Sequence, residues 1–240
     1  MAPTPTPGLL SLSPRAQLRA GRLPLRVTQL FAGLTLYGLA MASFVRAGLG
    51  LDPWDVFHFG VAGRVGLSLG TVVVLVGALV LLLWIPLRQW PGLGTVANVV
   101  WIGVATDVGL ALIPPMPNPP AQWGLFWAAL VLNGLGGALY IGSQLGPGPR
   151  DGLMTGLHRR TGLSLRLVRT VLELTVLVLG WFLGGIVGIG TVAYALLIGP
   201  LTQFFLRWTV VDLPAVRVTP ADAGPEATGV PAGTPGGTAA

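Results

Sequence analysis

The sequence predicts an all-α integral membrane protein in which six transmembrane helices form two inverted three-helix repeats, each with one additional short helix. Composition is the first observation behind this prediction: the 240 residues are 52% hydrophobic and 9% charged, with a mean hydropathy of +0.76. Soluble domains carry about a quarter of their residues as charges. The second observation is that the chain matches itself without a gap at an offset of 96 residues. The surface must therefore face lipid, and one structural unit must occur twice.

The internal match extends over most of the chain. Residues 34–108 and 130–204 share 28 identities in 75 positions, against about 7 or 8 expected from the composition alone. The best-matched segments are GLGLDPWD over QLGPGPRD at 48–55 and 144–151, RVGLSL over RTGLSL at 64–69 and 160–165, and GLGTVA over GIGTVA at 92–97 and 188–193. This pattern indicates a tandem duplication.

Each copy contains three apolar runs of membrane-spanning length, since a helix needs about 20 such residues to cross a bilayer. The six spans are predicted at 27–46, 67–87, 92–112, 122–143, 164–185 and 189–208. Between the first and second span of each copy, about eleven residues could form a helix of about 16 Å, too short for a hydrocarbon core of about 30 Å. These two short helices are predicted to be interfacial or re-entrant.

The arginines predict the orientation of the spans. Most of them fall on one side of a six-span chain, and the other side keeps only Arg46 and Arg64. The positive-inside rule therefore places both termini in the cytoplasm. Three is an odd number of crossings, so the second copy enters the membrane from the opposite face and the repeats are inverted.

The domain organisation follows from these spans. Both ends of the chain are rich in Pro, Ala, Thr and Gly without apolar periodicity, which is typical of disordered segments. The predicted units are a disordered tail at 1–22, repeat 1 at 23–113, a Pro-rich external loop at 114–121, repeat 2 at 122–210 and a second disordered tail at 211–240.

Two matched turns carry the first candidate site residues. Pro53 and Asp55 correspond to Pro149 and Asp151 in the second copy, and Arg150 stands between the latter two. A proline at the first helical position and a carboxylate in the first turn are typical of helix capping. The alternative is that these Gly-rich turns line a cavity, where the free amides and Arg150 attract an anion or an aspartate binds a cation. Both interpretations remain open.

A second candidate group lies in the fifth predicted span. Arg166, Arg169 and Glu173 are spaced three and four residues apart and share one helix face. Charged side chains inside a membrane are costly and usually face protein or water, so Glu173 is a candidate solute-binding residue. A structural ion pair between Arg169 and Glu173 explains the spacing equally well. Asp107, near the end of the third span, is interpreted as a carboxylate that reaches the interface.

Several classes of chemistry are not expected. The chain has no cysteine, and it shows no phosphate loop, dinucleotide fingerprint or nucleophile elbow. His58 and His158 have no second ligand at metal-binding spacing and are interpreted as interfacial side chains. We therefore expect no enzymatic activity, no cofactor, no metal site and no nucleic-acid partner. The expected partners are the lipid bilayer and a small solute, and a homodimer is left open.

The duplicated motifs also carry a resemblance to a known family. GPGPRDGLMTGLHRRTGLSLRLVRTVLELTVLVLGW at 146–181, GLGLDPWDVFH at 48–58 and LWIPLRQWPGLGTVANV at 83–99 resemble the YczE-type bacterial membrane proteins, which are grouped loosely with YitT-like membrane proteins. The resemblance covers about residues 22–212. It implies an integral plasma-membrane protein but supplies neither a substrate nor any residue role.

The function predicted from the sequence follows from the inverted repeats. Exchanging the conformations of two similar halves converts an outward-open state into an inward-open one, which favours a secondary transporter or exporter of a small solute. The predicted solute-binding residues are Glu173, Arg169, Arg166, Asp55, Asp151 and Arg150. The alternative is a non-transporting scaffold or assembly partner of another enzyme, in which these residues form structural pairs.

Overall fold

The computed structural model describes residues 9–10 and 12–213. The helices in this part of the chain are α1 (Pro14–Arg19), α2 (Leu23–Ala47), α3 (Pro53–Val65), α4 (Leu69–Trp84), α5 (Leu93–Leu112), α6 (Pro119–Gly142), α7 (Pro149–Thr161), α8 (Leu165–Phe182) and α9 (Ile189–Thr209). Four of them, α2, α5, α6 and α9, are long and apolar enough to cross a membrane. The bent pair α3 and α4, whose axes meet at 113°, raises the number to five if it counts as one span. The described part of the chain is therefore all-helical, with helices suited to a membrane, as predicted.

The second and fifth predicted spans are shorter in the structure than in the sequence analysis. The span predicted at 67–87 is the 16-residue helix α4, which is about 24 Å long at 1.5 Å per residue. The span predicted at 164–185 is the 18-residue helix α8, whose first half carries Arg166, Arg169 and Glu173. Helix α4 is too short to count as a membrane span on its own, and α8 carries too many charged residues.

Part of the predicted N-terminal tail is structured. Helix α1 begins at Pro14, and the Ser13 side chain accepts a hydrogen bond from the Ala16 amide at its start. Three apolar side chains of this segment are buried with two residues that follow α9, while Leu18 is exposed. The buried cluster is Leu12, Ala16, Ala20, Val211 and Leu213. The prediction of disorder is therefore wrong for residues 12–22 and for 211–213. Residues 1–8, 11 and 214–240 lie outside the described residues.

Helices α2 and α6 lie against each other at the centre of the bundle and run antiparallel. Gln29 of α2 donates to the carbonyl of Leu139, and further along α2 the Phe44 ring contacts Phe126. Glycines allow the close approach, since a Cβ atom at Gly33 would lie 2.7 Å from a carbonyl oxygen of α6. Helix α5 packs on α2 and α9 packs on α6, while α3 packs on α8 and α4 packs on α7.

The contacts between the two halves are reciprocal. The Gly94 amide donates to the Leu145 carbonyl at 2.7 Å, and the Gly190 amide donates to the Leu49 carbonyl at 2.8 Å. Gly190 is the counterpart of Gly94 in the duplication, and Leu49 is the counterpart of Leu145. Each bond is therefore the equivalent of the other with the two halves exchanged. The turns before α3 and α7 also match, because Gly50 and its counterpart in the second turn both have φ +127°. Such a φ strains any residue with a Cβ atom, so glycine is required at both positions.

In the first half, α4 packs closely on α5. A Cβ atom at Gly70 would lie 2.1 Å from the Gly103 carbonyl oxygen, so the two backbones nearly touch. Asp107 closes the contact, since its two carboxylate oxygens accept hydrogen bonds from Ser68 Oγ at 2.6 Å and from the Gly70 amide at 2.7 Å. Asp107 is therefore not a side chain that simply reaches the interface. It caps the first turn of α4.

The second half lacks this contact. Arg166 takes the place of Gly70, and the residue that corresponds to Asp107 is Gln203. Helices α8 and α9, both fully described, do not pack closely on each other. A Cβ atom at Gly199, the counterpart of Gly103, would meet no atom within 4 Å. The two halves therefore share their connectivity but differ in how their last two long helices meet.

Candidate functional site

A cavity of about 350 Å³ lies between the two halves. Each of the helices α2 to α9 contributes to its walls. The volume is at the lower end of the range found for small-molecule sites, which runs from about 300 to 1,000 Å³. The site is therefore large enough for a small organic molecule, and both halves contribute to it.

All three tyrosines of the chain, Tyr37, Tyr140 and Tyr194, line this cavity. The Tyr194 hydroxyl donates to Asn133 Oδ1 at 3.0 Å, and the Tyr140 hydroxyl donates to Asp151 Oδ2 at 3.4 Å. Tyrosines of membrane proteins concentrate at the bilayer interface. Here their rings and hydroxyls are instead gathered around an internal space, where they provide aromatic walls with polar groups.

Arg150 connects the two halves across the cavity. Its guanidinium donates through Nη1 to Asp52 Oδ2 at 3.3 Å and through Nη2 to the Tyr37 hydroxyl at 2.6 Å. Asp52 is 2% exposed and also accepts a hydrogen bond from the Asp55 amide, which makes it the N-cap of α3. Arg150 follows Pro149, which occupies the first position of α7. The starts of the two short helices are thus joined by an ion pair.

The first turns of α3 add three buried polar groups to the cavity wall. Trp54, Asp55 and His58 are all less than 10% exposed and line the cavity. The Asp55 carboxylate lies 3.5 Å from His58 Nδ1. Neither Trp54 Nε1 nor His58 Nδ1 has a hydrogen-bond partner among the described residues. Unpaired buried polar atoms are rare in native structures and call for an explanation.

Helix α8 supplies a second ion pair to the wall. Arg169 Nε donates to Glu173 Oε1 at 2.9 Å, and both residues line the cavity. The two side chains are 62% and 32% exposed, respectively. A pair with this exposure contributes little to stability, commonly less than about 1 kcal/mol. Its place at the cavity fits both interpretations of the sequence, a structural pair and a solute-binding pair.

Comparison with known proteins gives the family. Residues 24–207 match a protein family described as "Family of unknown function (DUF6198)". The chain belongs to the DUF6198 family. It is 37% identical to an "Uncharacterized protein" of Haemophilus influenzae over 75% of this chain and 83% of that protein. It is 35% identical to the "Uncharacterized membrane protein YczE" of Bacillus subtilis over 78% of this chain and 88% of the relative. No solved structure matches the chain.

These similarities confirm the resemblance to YczE-type proteins that the sequence motifs indicated. A second Bacillus subtilis relative, "Uncharacterized protein YyaS", is 26% identical over 72% of this chain and 89% of its own length. The matched region of the DUF6198 chain begins in α2 and ends in α9. It therefore contains every helix that lines the cavity.

The structure brings most of the predicted site residues of this DUF6198 chain together. Five of the six line the one cavity: Asp55, Arg150, Asp151, Arg169 and Glu173. Arg166 does not line it, although it shares a helix face with Arg169 by spacing. Pro53 and Pro149 begin α3 and α7 as predicted. That these residues bind a solute remains a prediction.

Several residues of the cavity wall were not predicted, namely Tyr37, Asp52, Trp54, His58, Asn133, Tyr140 and Tyr194. His58 in particular is buried in the protein rather than placed at the membrane interface. One signal in the sequence could have indicated part of this set. Tyr37 lies in the middle of a predicted span, far from the interface that tyrosine prefers.

Proposed function

We propose that this chain is a secondary transporter or exporter of a small solute in the bacterial plasma membrane, and that it works by alternating access of two inverted three-helix repeats. The observation that carries the proposal is the cavity between the halves, to which all helices from α2 to α9 contribute. In transporters built from inverted repeats, the solute site lies at the interface of the repeats. No enzymatic step and no cofactor form part of the proposal.

The reciprocal contacts support the inverted arrangement. Hydrogen bonds at the turns before α3 and α7 exchange with each other under the offset of 96 residues. The antiparallel packing of α2 on its counterpart α6 fits two copies with opposite directions. In the proposed topology α3 and α7 are short re-entrant helices, and α4 and α8 complete the second and fifth crossings beside them. Both termini are cytoplasmic.

The topology can be tested with single cysteines, because the chain contains none. Leu67 and Leu163 are counterparts in the two copies, and both are exposed in the turns after α3 and α7. In intact cells, we expect Leu67→Cys to react with a membrane-impermeant maleimide and Leu163→Cys to react only after the cells are opened. Labelling of both variants from the same side of the membrane would overturn the inverted arrangement.

The difference between the halves supports alternating access. Helix α4 is closed against α5 through Gly70 and Gly103, whereas α8 and α9 do not pack closely. A protein that exposes its site to one side at a time needs one half closed while the other is open. We propose that the cavity is reached through the second half in this conformation, past Arg169 and Glu173 of α8.

Transport can be tested by flux into proteoliposomes across a panel of small solutes. We expect Glu173→Gln to reduce the initial rate at least tenfold, because it removes the charge that pairs with Arg169 at the cavity wall. The matched control is Arg166→Gln on the same helix, since Arg166 does not line the cavity. We expect this control to retain the wild-type rate.

The same assay separates transport from the alternative function. Absence of flux for every solute of a broad panel, with correctly oriented and folded protein, would favour the non-transporting scaffold. Equal rates for Glu173→Gln and Arg166→Gln would remove Glu173 from the proposed site while leaving transport in place. The two parts of the proposal can therefore fail separately.

A further inference from the structure

The charges around the cavity do not balance. Four carboxylates and two guanidinium groups line it, namely Asp52, Asp55, Asp151, Glu173, Arg150 and Arg169. Asp52 pairs with Arg150, and Glu173 pairs with Arg169. Within the described part of the chain, this leaves the carboxylates of Asp55 and Asp151 without an arginine. The cavity therefore carries an excess of negative charge that favours a cation.

The two remaining carboxylates are counterparts in the duplication. Asp55 is the third residue of α3, and Asp151 is the third residue of α7. Asp55 is 5% exposed and lies 3.5 Å from His58 Nδ1. Asp151 accepts one hydrogen bond, from the Tyr140 hydroxyl at 3.4 Å. Asp151 is more exposed than Asp55. Each half thus presents one acidic group to the cavity from an equivalent sequence position, but the two groups differ in burial.

The walls of the cavity suit an organic cation in particular. Four aromatic side chains line the cavity, Tyr37, Trp54, Tyr140 and Tyr194. Aromatic faces attract ammonium groups through their electron-rich rings, and the attraction is strongest where water is excluded. A metal ion would have to give up a strongly held hydration shell to lie against such rings, whereas a substituted ammonium ion is weakly hydrated and its alkyl groups also bury apolar surface.

Two unpaired polar atoms indicate a further group on the ligand. Trp54 is 93% buried, and its Nε1 has no hydrogen-bond partner in the described residues. His58 is similarly buried, and its Nδ1 also lacks one. An indole N–H can only donate, so it requires an acceptor such as a hydroxyl or carbonyl oxygen. Leaving such a group unpaired in a buried place is unfavourable, and a bound ligand that accepts from it would remove this cost.

We propose that the cavity binds a small organic ammonium ion that also carries an oxygen acceptor. Asp55 and Asp151 neutralise its charge, the tyrosine and tryptophan rings surround the ammonium group, and Trp54 Nε1 donates to its oxygen. The proposal rests on the proposed function, because it assigns the chemical class of the transported solute. Its prediction about binding can be tested without measuring transport.

Binding can be measured on the purified full-length protein in detergent by thermal shift and by tryptophan fluorescence titration. The probes are choline and 2-amino-1-phenylethanol, which are compared with their uncharged isosteres 3,3-dimethylbutan-1-ol and 1-phenylpropan-1-ol at matched ionic strength in NaCl. We expect at least one cation to bind at least tenfold more tightly than its isostere. Equal binding of cation and isostere for both pairs, or no binding of either cation, would overturn the proposal.

Variants locate the effect within the cavity. We expect Asp55→Asn and Asp151→Asn each to weaken binding of the cation at least tenfold. Asp212→Asn is the control, because Asp212 is an exposed carboxylate that does not line the cavity. Should an aspartate variant fail to fold, the comparison of cation and isostere on the wild-type protein still decides the question. Unchanged binding in both folded variants would overturn the assignment of Asp55 and Asp151.

The flux assay distinguishes this inference from the proposed function. Selective binding of an ammonium ion without any flux would overturn transport and support the inference on binding. Flux of a neutral or anionic solute that is insensitive to both aspartate substitutions would support transport and overturn the inference.

Discussion

Replacement of Arg150 by alanine is expected to reduce solute flux at least a hundredfold. The guanidinium of Arg150 joins α7 to the N-cap of α3 and to Tyr37 of α2. Its loss leaves the Asp52 carboxylate, which is 2% exposed, as a buried charge without its cation. The Arg150 side chain is 35% exposed, so the cost lies below the value for a fully buried pair, which is about 3 to 5 kcal/mol. The initial rate of flux in proteoliposomes, normalised to the reconstituted protein, measures the effect.

Two further variants, one at Arg150 and one elsewhere on α7, test whether the loss of flux is caused by the guanidinium group of Arg150. Arg150→Lys keeps the charge but lacks the planar fork that reaches two acceptors, so we expect a loss of at least tenfold as well. Arg159→Ala removes an exposed arginine from the same helix and should leave the rate unchanged. Wild-type flux in Arg150→Ala would contradict the placement of Arg150 in the solute path.

Replacement of Arg26 by methionine is expected to give the largest loss of stability. Arg26 is fully buried, and its guanidinium donates to the carbonyls of Ser143 at 2.7 Å, Gln17 at 2.5 Å and Gln144 at 2.6 Å. It thereby caps the end of α6 and holds α1 in place. Methionine fills similar space but leaves these carbonyls unpaired, at about 1 to 3 kcal/mol for each buried group.

The stability of the Arg26 variant can be followed by thermal unfolding in detergent. For a protein of this length, a loss of several kcal/mol lowers the Tm by about 10 °C or more. Arg19→Ala is the control, because it removes an exposed cation from the same side of the chain. A Tm within about 2 °C of wild type for Arg26→Met would show that these hydrogen bonds contribute little.

The sequence predicts the class of the fold because hydropathy depends on composition alone. A long apolar segment without charges is suited to lipid whatever the rest of the chain contains, and the spans that became α2, α5, α6 and α9 were predicted in this way. The ordered segment from Leu12 to Ala20 could not be found in the same way. Only three of its apolar side chains belong to the buried cluster, and their burial depends on Val211 and Leu213, which are about 200 residues away in the sequence. The local pattern of apolar residues gives no information about a packing partner so distant in the sequence.

The candidate site was predictable only where charge or duplication marked it. Asp55 and Asp151 occur at matched positions, and Glu173 is an ionisable residue in an apolar run, so all three were identified. Tyr37 and Tyr194 were not, because helices that are apolar on every side do not reveal which face meets the protein interior. The closeness of Asp52 to Arg150 depends on the way the two halves meet, which no single segment encodes.

The second half has Arg166 at the position where the first half has Gly70, and this difference has a consequence for the proposed transport cycle. Under alternating access, α8 would have to approach α9 as α4 approaches α5, where the backbones nearly touch. A side chain at position 166 makes that degree of closure impossible, so the second barrier must form with a wider separation. The outward-facing and inward-facing conformations of the empty protein then differ in free energy, and their populations are unequal before any solute binds. In the proposed transporter, the two halves are therefore not equivalent, and one of the two conformations is preferred when no solute is bound.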